Sequence, residues 1–101
     1  MKELKSTTPI AFNLYQNYPN PFNPSTKIVI DLSQRSNAKL LVYNILGEQV
    51  ATLMDGMFEA GKYEITWTGR DDNGLQAATG IYFYKLEAGS FTQTKKMLLM
   101  K

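Results

Sequence analysis

The side chains best suited to chemistry lie in one short segment, residues 70–74, with the sequence RDDNG. A Ca²⁺ loop of the form D-x-[DN]-x-[DN]-G-x₅-E needs oxygen ligands at fixed spacings and ends in a bidentate glutamate. Asp71, Asn73 and Gly74 fit three spacings, but the first and last ligand positions fall on Gly69 and Gly80. The segment therefore favours a turn, and weak Ca²⁺ binding by Asp71 and Asp72 stays open.

Histidine and cysteine are absent from the chain. Nucleophilic arrangements of the Ser/His/Asp and Cys/His types, and zinc sites built on those ligands, are therefore excluded. A glycosidase would need two carboxylates facing each other across a cleft, and 101 residues leave little material for one. The sequence predicts a protein that is not an enzyme and needs no metal or other cofactor.

Aromatic residues make up 12% of the chain, enough to consider a platform that stacks on sugar rings. Trp67 alternates with polar residues in KYEITWT, so the core is its expected place. Tyr82 and Tyr84 point to one face of their strand and Phe83 to the other, which leaves one set to cover the outside of a sheet. A carbohydrate-binding or adhesive module that uses Trp67, Tyr82 and Phe83 is therefore an alternative function.

Charge and hydropathy exclude several partners. The chain has eleven basic and nine acidic residues and a net charge of +2, with Lys95 and Lys96 as its tight basic pair. That is too little to indicate nucleic acid or an anionic membrane. The most apolar unbroken run, residues 97–100, is far shorter than the roughly 20 residues of a membrane helix. Residues 1–12 are no secretory signal peptide, so the chain is either cytoplasmic or a piece of a longer precursor.

Alternation of apolar and polar residues is the main structural signal. It predicts strands in FNLYQ, TKIVIDL, AKLLVYN, EQVATL, KYEITWT, GIYFYKLEA and FTQTKKMLLM. AKLLVYN and GIYFYKLEA are apolar on both faces and are expected to be central. Gly47, residues 71–74 and Gly89 supply turns, and no segment has a sustained helical period. About seven strands without crossover helices predict an all-β, antiparallel Ig-like β-sandwich, with an up-and-down barrel as the alternative.

Residues 16–24, QNYPNPFNP, are too stiff for a helix or an ordinary strand. Each of the prolines fixes φ at about −65° and removes a backbone donor, while asparagine side chains can bond nearby backbone groups. We interpret this segment as a strap that crosses the end of the sandwich between the first and second strands, with Phe22 and Tyr18 as candidates for plugging the core. The alternative is a P-x-x-P ligand, which PFNP matches. The prolines of the strap are Pro19, Pro21 and Pro24.

Two further segments depart from the alternation. Ile45 and Leu46 are apolar at a turn, where they either form part of a docking patch or, as the favoured expectation, fold back over the open end of the core. The last strand is polar on both faces in TQTKK and apolar on both in MLLM. Its register is therefore weakly specified. It could pair with another chain by edge addition, or it is simply a final strand with a frayed polar start.

Four segments together resemble a known family: FNLYQNYPNPFNPSTKIVIDL, LLVYNILGEQVATL, AGKYEITWTGRDDNG and ATGIYFYKLEAGSFTQTKKMLLMK. They are similar to the type A C-terminal sorting domain of type IX secretion cargo, a class related to the Ig-like domain of flagellar hook-capping proteins. The resemblance assigns residues 12–101 to the sorting domain and residues 1–11 to a linker, with Met1 added in cloning. The polar segment LSQRSNAK departs from the family, which usually has a proline-containing loop there.

The resemblance implies a non-catalytic signal at the end of a larger cargo protein, which passes through the periplasm and is secreted or held at the cell surface. Its partners would be the fused cargo domain, the outer-membrane translocon and a sortase-like peptidase, with no nucleic acid and no membrane-spanning segment. A structural module of the hook-cap kind is a third alternative. The residues assigned to recognition by the secretion machinery are Gly80, Tyr82, Lys95, Lys96, Met97, Leu98, Leu99, Met100 and Lys101.

Overall fold

The structure is a computed structural model that describes residues 1–4 and 8–100. This part of the chain contains β-strands and no helix, and so no helix that could cross a membrane. The strands are β1 (Lys2–Leu4), β2 (Asn13–Leu14), β3 (Thr26–Leu32), β4 (Ser36–Asn44), β5 (Gln49–Phe58), β6 (Gly61–Trp67), β7 (Gly80–Ala88) and β8 (Phe91–Leu99).

The strands form two four-stranded antiparallel sheets, ordered β1-β6-β3-β2 and β5-β4-β7-β8. The apolar faces of the sheets enclose one core, which contains Ile28 and Ile30 of β3 together with Leu40 and Tyr84 of the second sheet's central strands. The predicted Ig-like sandwich is confirmed, and the closed barrel is not formed. β4 and β7 are the central pair of the second sheet, as their apolar residues on both faces predicted.

Three strands differ in extent from the sequence prediction. β1 is an eighth strand, which lies in the segment interpreted as linker and pairs Lys2 with Glu64 of β6. β2 is only two residues long, because the chain turns into the strap after it. β5 continues past EQVATL to Phe58, with irregularities opposite β4 between Leu40 and Leu41 and after Val42. Short polar or bulged strands give too few alternating positions to be delimited from sequence.

A buried carboxylate ties β2 to the first sheet. Asp31 is almost fully buried on β3, and its Oδ2 accepts hydrogen bonds from Asn13 Nδ2 (3.1 Å) and the Tyr15 hydroxyl (2.5 Å). Lys62, its cross-strand neighbour on β6, places Nζ 2.8 Å from Oδ1 and 4.6 Å from the centre of the Tyr15 ring. Burial by itself would raise the pKa of Asp31, but hydrogen bonds from Lys62, Tyr15 and Asn13, with the charge of Lys62, outweigh it and lower that pKa.

Asp31→Asn is expected to lower the free energy of unfolding near neutral pH by about 1–3 kcal/mol, because Lys62 loses its ion-pair partner. The folded-state pKa of Asp31 is lowered. Its contribution is therefore present above the unfolded-state pKa of about 3.9 and is lost as the pH falls through the folded-state value. Urea unfolding over a pH series should show the difference between wild type and variant shrinking in acid. A difference that stays constant would contradict this account, and Asp55→Asn, at an exposed position of β5, is the control.

Candidate functional site

The strap, residues 16–24, covers the outer edge of the last strand. The backbone N–H of Phe22 donates to the Leu98 carbonyl (3.0 Å), and the N–H of Met100 donates to the Phe22 carbonyl (2.9 Å). Asn20 Oδ1 accepts from the Leu98 N–H (3.0 Å). Gln16 Nε2 donates to the Lys96 carbonyl (2.7 Å). The second half of β8 is thus bonded on both sides, and edge addition of another chain is closed there.

Phe22 fills the core beneath the strap. It is 2% exposed, and its ring centre lies 5.7 Å from that of Trp67, which packs edge-on against Tyr82 at 5.4 Å. The three Xaa-Pro peptide bonds of the strap are cis. The expectation that Tyr18 also plugs the core is wrong, since this residue is 80% exposed. Its backbone pairs with that of Lys27 in both directions at 2.9 Å, and opposed residues of an antiparallel pair share a face, here the solvent face.

A buried polar network anchors the entry of the strap. Asn17 Nδ2 donates to Thr26 Oγ1 (2.9 Å) and to the Pro19 carbonyl (3.1 Å). The Asn17 N–H donates to the hydroxyl of Tyr84 (2.8 Å), which in turn donates to the Tyr15 carbonyl (2.8 Å). Burial raises the pKa of Tyr84 to about 12, although the hydrogen bond from Asn17 acts in the opposite direction. Sequence reasoning missed this network, because Asn17 is visible beside the prolines but its partner lies 67 residues away.

The loop between β6 and β7 packs against the end of the strap. Gly69 has φ of 76°, and a Cβ there would lie 2.8 Å from the Pro24 carbonyl oxygen and 3.0 Å from Gln76 Nε2. A residue with a side chain would be strained at that φ and would collide with the strap. Trp67 Nε1 donates to the Arg70 carbonyl (2.8 Å), which fixes the start of the same loop.

The segment RDDNG forms the predicted turn, and its carboxylates bind backbone groups. Asp71 Oδ1 accepts from the N–H groups of Asn73 and Leu75, both at 2.9 Å. Asp72 bonds to the outer edge of β5: its Oδ1 accepts from the Thr52 N–H (2.9 Å), and its N–H donates to the Val50 carbonyl (3.0 Å). Within residues 1–4 and 8–100, no three His, Cys, Asp or Glu side chains are grouped to hold a metal ion.

The residues assigned to recognition fall into two groups. Tyr82, Met97 and Leu99 point into the core and are buried, so they act through the fold. Lys96 and Leu98 of β8, and Met100 directly after its end, alternate with them and face outward. Lys95 is half-buried, Gly80 begins β7, and Lys101 lies outside the described residues. A receptor that meets the folded domain could contact only the outward group.

Two of the aromatic residues considered for a sugar platform are buried and cannot contact a sugar. Trp67 is buried, as its alternation predicted, and Tyr82 packs on it, with its hydroxyl donating to the Ala78 carbonyl four residues upstream (2.6 Å). Phe83 lies on the outer face of the second sheet beside Tyr43 of β4. A platform made of Trp67, Tyr82 and Phe83 together is therefore wrong, because the three side chains do not share a surface.

The fold and the strap together define the class of this protein: it is an Ig-like β-sandwich whose last strand is hydrogen-bonded to a proline-rich strap. Residues 18–91 match the family model described as FlgD Ig-like domain, and the chain belongs to that family. No curated protein sequence matches the chain.

Two solved structures from Porphyromonas gingivalis share the fold. The first is dimeric latent PorU, with a TM-score of 0.69, 20% identity, and 84% of this chain covered against 9% of that one. The second is PorZ, described as an essential bacterial surface component of the type-IX secretion system, with a TM-score of 0.58, 16% identity, and 89% of this chain covered against 11% of that one. The chain thus spans about a tenth of the length of each.

Proposed function

We propose that this chain is a non-catalytic C-terminal sorting domain that directs a larger cargo protein across the outer membrane by the type IX secretion system. The observation that carries the proposal is the end of the chain's last strand, where Lys96, Leu98 and, just past the strand, Met100 form an outward row on a backbone bonded on both edges. The resemblance of the ending GIYFYKL…TKKMLL to sorting domains supports it, as does the fold shared with PorZ.

A rigid row of outward side chains is well suited to recognition by another protein. Immobilising a flexible segment on binding costs about 0.5–1.5 kcal/mol for each ordered side chain, and a strand already fixed in the sandwich avoids part of that cost. Phe22, Met97 and Leu99 hold the strand from inside the core. The partners in this proposal are the translocon, a sortase-like peptidase and the upstream cargo domain, and the cargo ends secreted or on the cell surface.

Export of a reporter tests the proposal. The full 101-residue chain, fused behind a periplasmic reporter in a host that has this secretion system, should bring the reporter outside the cell. Deleting residues 95–101 should trap it in the periplasm. Because that deletion removes buried Met97 and Leu99, a second variant, Leu98→Ser/Met100→Ser, changes only outward positions. We expect export to fall at least about tenfold, the effect of roughly 1.4 kcal/mol in recognition, and unimpaired export of both variants would refute the role given to the last strand.

The family match favours a second candidate, a structural module in a larger assembly, since the family is described by the Ig-like domain of FlgD. In that case the wild-type fusion would remain in the periplasm of a host competent for secretion. Flagellar genes beside the gene for this chain would be the accompanying sign.

A further inference from the structure

A groove between the strap and the second sheet lies beside the outward row of the last strand. Its volume is about 170 Å³, and it is lined by Asn20, Ile81, Lys96, Met97 and Leu98. Ile81 of β7 and Leu98 of β8 are register partners on the outer face of the sheet, and Ile81 is 38% exposed. The groove, which we call the strap groove, therefore opens to solvent and is separate from the core.

Asn20 fixes one wall of the strap groove. Its Oδ1 accepts a hydrogen bond from the Leu98 N–H (3.0 Å), and the Leu98 carbonyl accepts one from the Phe22 N–H (3.0 Å). These bonds hold the strap at a set distance from β8, so the groove is preformed. The Nδ2 group of Asn20 has no hydrogen-bond partner among the described residues, which leaves it as a donor for a ligand.

The segments that form the strap groove carry only positive charge. The strap and residues 80–84 contain no charged residue, and β8 contains two, Lys95 and Lys96. Lys96 is exposed and has no ion-pair partner among the residues described. The acid of β7, Glu87, is paired with Lys85 at 2.9 Å.

The hairpin between β4 and β5 does not contribute to the strap groove. Ile45 and Leu46 at its tip are 70% and 79% exposed, so the expectation that they fold back over the core is wrong. Glu48 of the hairpin is bonded to the neutral Asn44 amide and keeps its negative charge. It directly precedes β5, however, and β5 and β8 are the opposite edges of the sheet. Three strand spacings, about 14 Å, separate the two edges, which exceeds the screening length of about 8 Å at physiological salt.

We propose that the strap groove receives one aliphatic side chain from a protein of the export machinery, with a carboxylate of that protein beside Lys96. This step rests on the proposed function. The Nδ2 group of Asn20 supplies a hydrogen bond to a carbonyl of the same segment. Lys96 and Leu98 belong both to the groove and to the outward row, so the strap and the last strand form one continuous recognition surface.

A second copy of this chain fits the strap groove less well. A two-fold contact between two such grooves would bring Lys96 of one copy towards Lys96 of the other, and the strap, residues 80–84 and β8 offer no acid to compensate. A contact with some other, acidic surface of a second copy would be heterologous and would build rings or filaments. An anionic membrane also fits less well, because one exposed lysine contributes only about 1 kcal/mol of attraction.

The first test changes the end of one side chain in the full chain, fused behind the periplasmic reporter. Asn20→Asp keeps an oxygen that can accept from the Leu98 N–H, but it replaces the Nδ2 donor with a carboxylate oxygen that would repel the partner's carboxylate. Export should fall at least about tenfold. Asn23→Asp adds the same charge at an exposed position of the strap outside the groove, and should be exported as wild type is.

The second test fills the strap groove. Ile81→Trp should lower export at least about tenfold without lowering the urea midpoint of unfolding, because residue 81 lies on the outer face and strands favour aromatic residues. Ile81→Val keeps the branched wall and should be exported as wild type is. Met57→Trp places the same ring on β5, at a position that is 52% exposed, and should also be exported normally.

The outcomes separate the two proposals. If the wild-type fusion is not exported, the proposed function fails and this inference fails with it. If the wild type is exported and Asn20→Asp and Ile81→Trp are exported equally well, only the strap groove is overturned. Sedimentation and vesicle binding give the remaining outcomes: a wild-type dimer, or binding to anionic vesicles, that Ile81→Trp abolishes would make a second copy or a membrane the occupant and would overturn the partner proposed here.

Discussion

Replacing Phe22 with alanine is expected to lower the free energy of unfolding by about 3–5 kcal/mol, the range for removing a buried phenylalanine. The ring is enclosed by the core and packs on Trp67. The strap above it contains three prolines, and Phe22 is its one apolar side chain that is buried in the core. A domain of this size has about 5–15 kcal/mol in total. The variant should therefore sit close to unfolding at moderate temperature, which urea or thermal melts would measure.

Tyr18→Ala is the matched control, because it removes an aromatic ring from the same strap at an exposed position. Its stability should stay within about 0.5 kcal/mol of wild type. Hydrogen exchange gives an independent measure. The Met100 amide, which donates to the Phe22 carbonyl, should exchange faster in Phe22→Ala and not in Tyr18→Ala. Equal melting of Phe22→Ala and wild type would show that the strap is not an anchor of the core.

Replacing Tyr84 with phenylalanine should cost about 2–4 kcal/mol, although it removes only one oxygen atom. That oxygen accepts from the Asn17 N–H and donates to the Tyr15 carbonyl, so its loss leaves two backbone groups without their partner. An unsatisfied buried group costs about 1–3 kcal/mol. Tyr82→Phe is the control on the same face of β7, and it should cost less because the Tyr82 hydroxyl makes one bond, to the Ala78 carbonyl.

Alkaline titration distinguishes the loss of this network from a general loosening of the core. The folded-state pKa of Tyr84 is raised from 10.0 to about 12. Its contribution to stability is therefore complete below the unfolded-state value and is lost as the pH rises from there through about 12. Tyrosinate absorbance should show a group that ionises near pH 12 in the wild type and in Tyr82→Phe, and this last step should be missing in Tyr84→Phe. Burial also raises the pKa values of Tyr63 and Tyr82, so the test is the loss of the last step alone. A late step that persists in Tyr84→Phe would assign it to another residue.

Each outer edge of the second sheet is covered in part by bonds from a distant loop. The strap bonds the second half of β8, and Asp72 bonds Val50 and Thr52 at the edge of β5. Uncovered edges invite pairing with other chains. Because the backbone edge of the second half of β8 is already hydrogen-bonded, a partner there could contact only side chains. This agrees with the outward row of Lys96, Leu98 and Met100 that we propose for recognition.

Local features were predictable because they depend on a few neighbouring residues. Alternation in KYEITWT and TKIVIDL gave β6 and β3, and turn chemistry gave the reversals at Gly47, residues 71–74 and Gly89. The inward direction of Trp67 followed from the same alternation. Tyr18 and Ile45 were misplaced, because a strap and a hairpin tip have no period from which the direction of a side chain can be read.

The amino-acid sequence by itself determined that this protein is an all-β sandwich without histidine or cysteine, since composition and period need no knowledge of distant contacts. Only the tertiary structure decided where the strap lies, which tyrosine anchors it, and that Asp72 bonds the outer edge of β5. Those outcomes join groups far apart in the chain, such as Asn20 with Leu98 and Asn17 with Tyr84. Such pairs are fixed only when the packed core brings both ends together and leaves buried polar groups with no other partners.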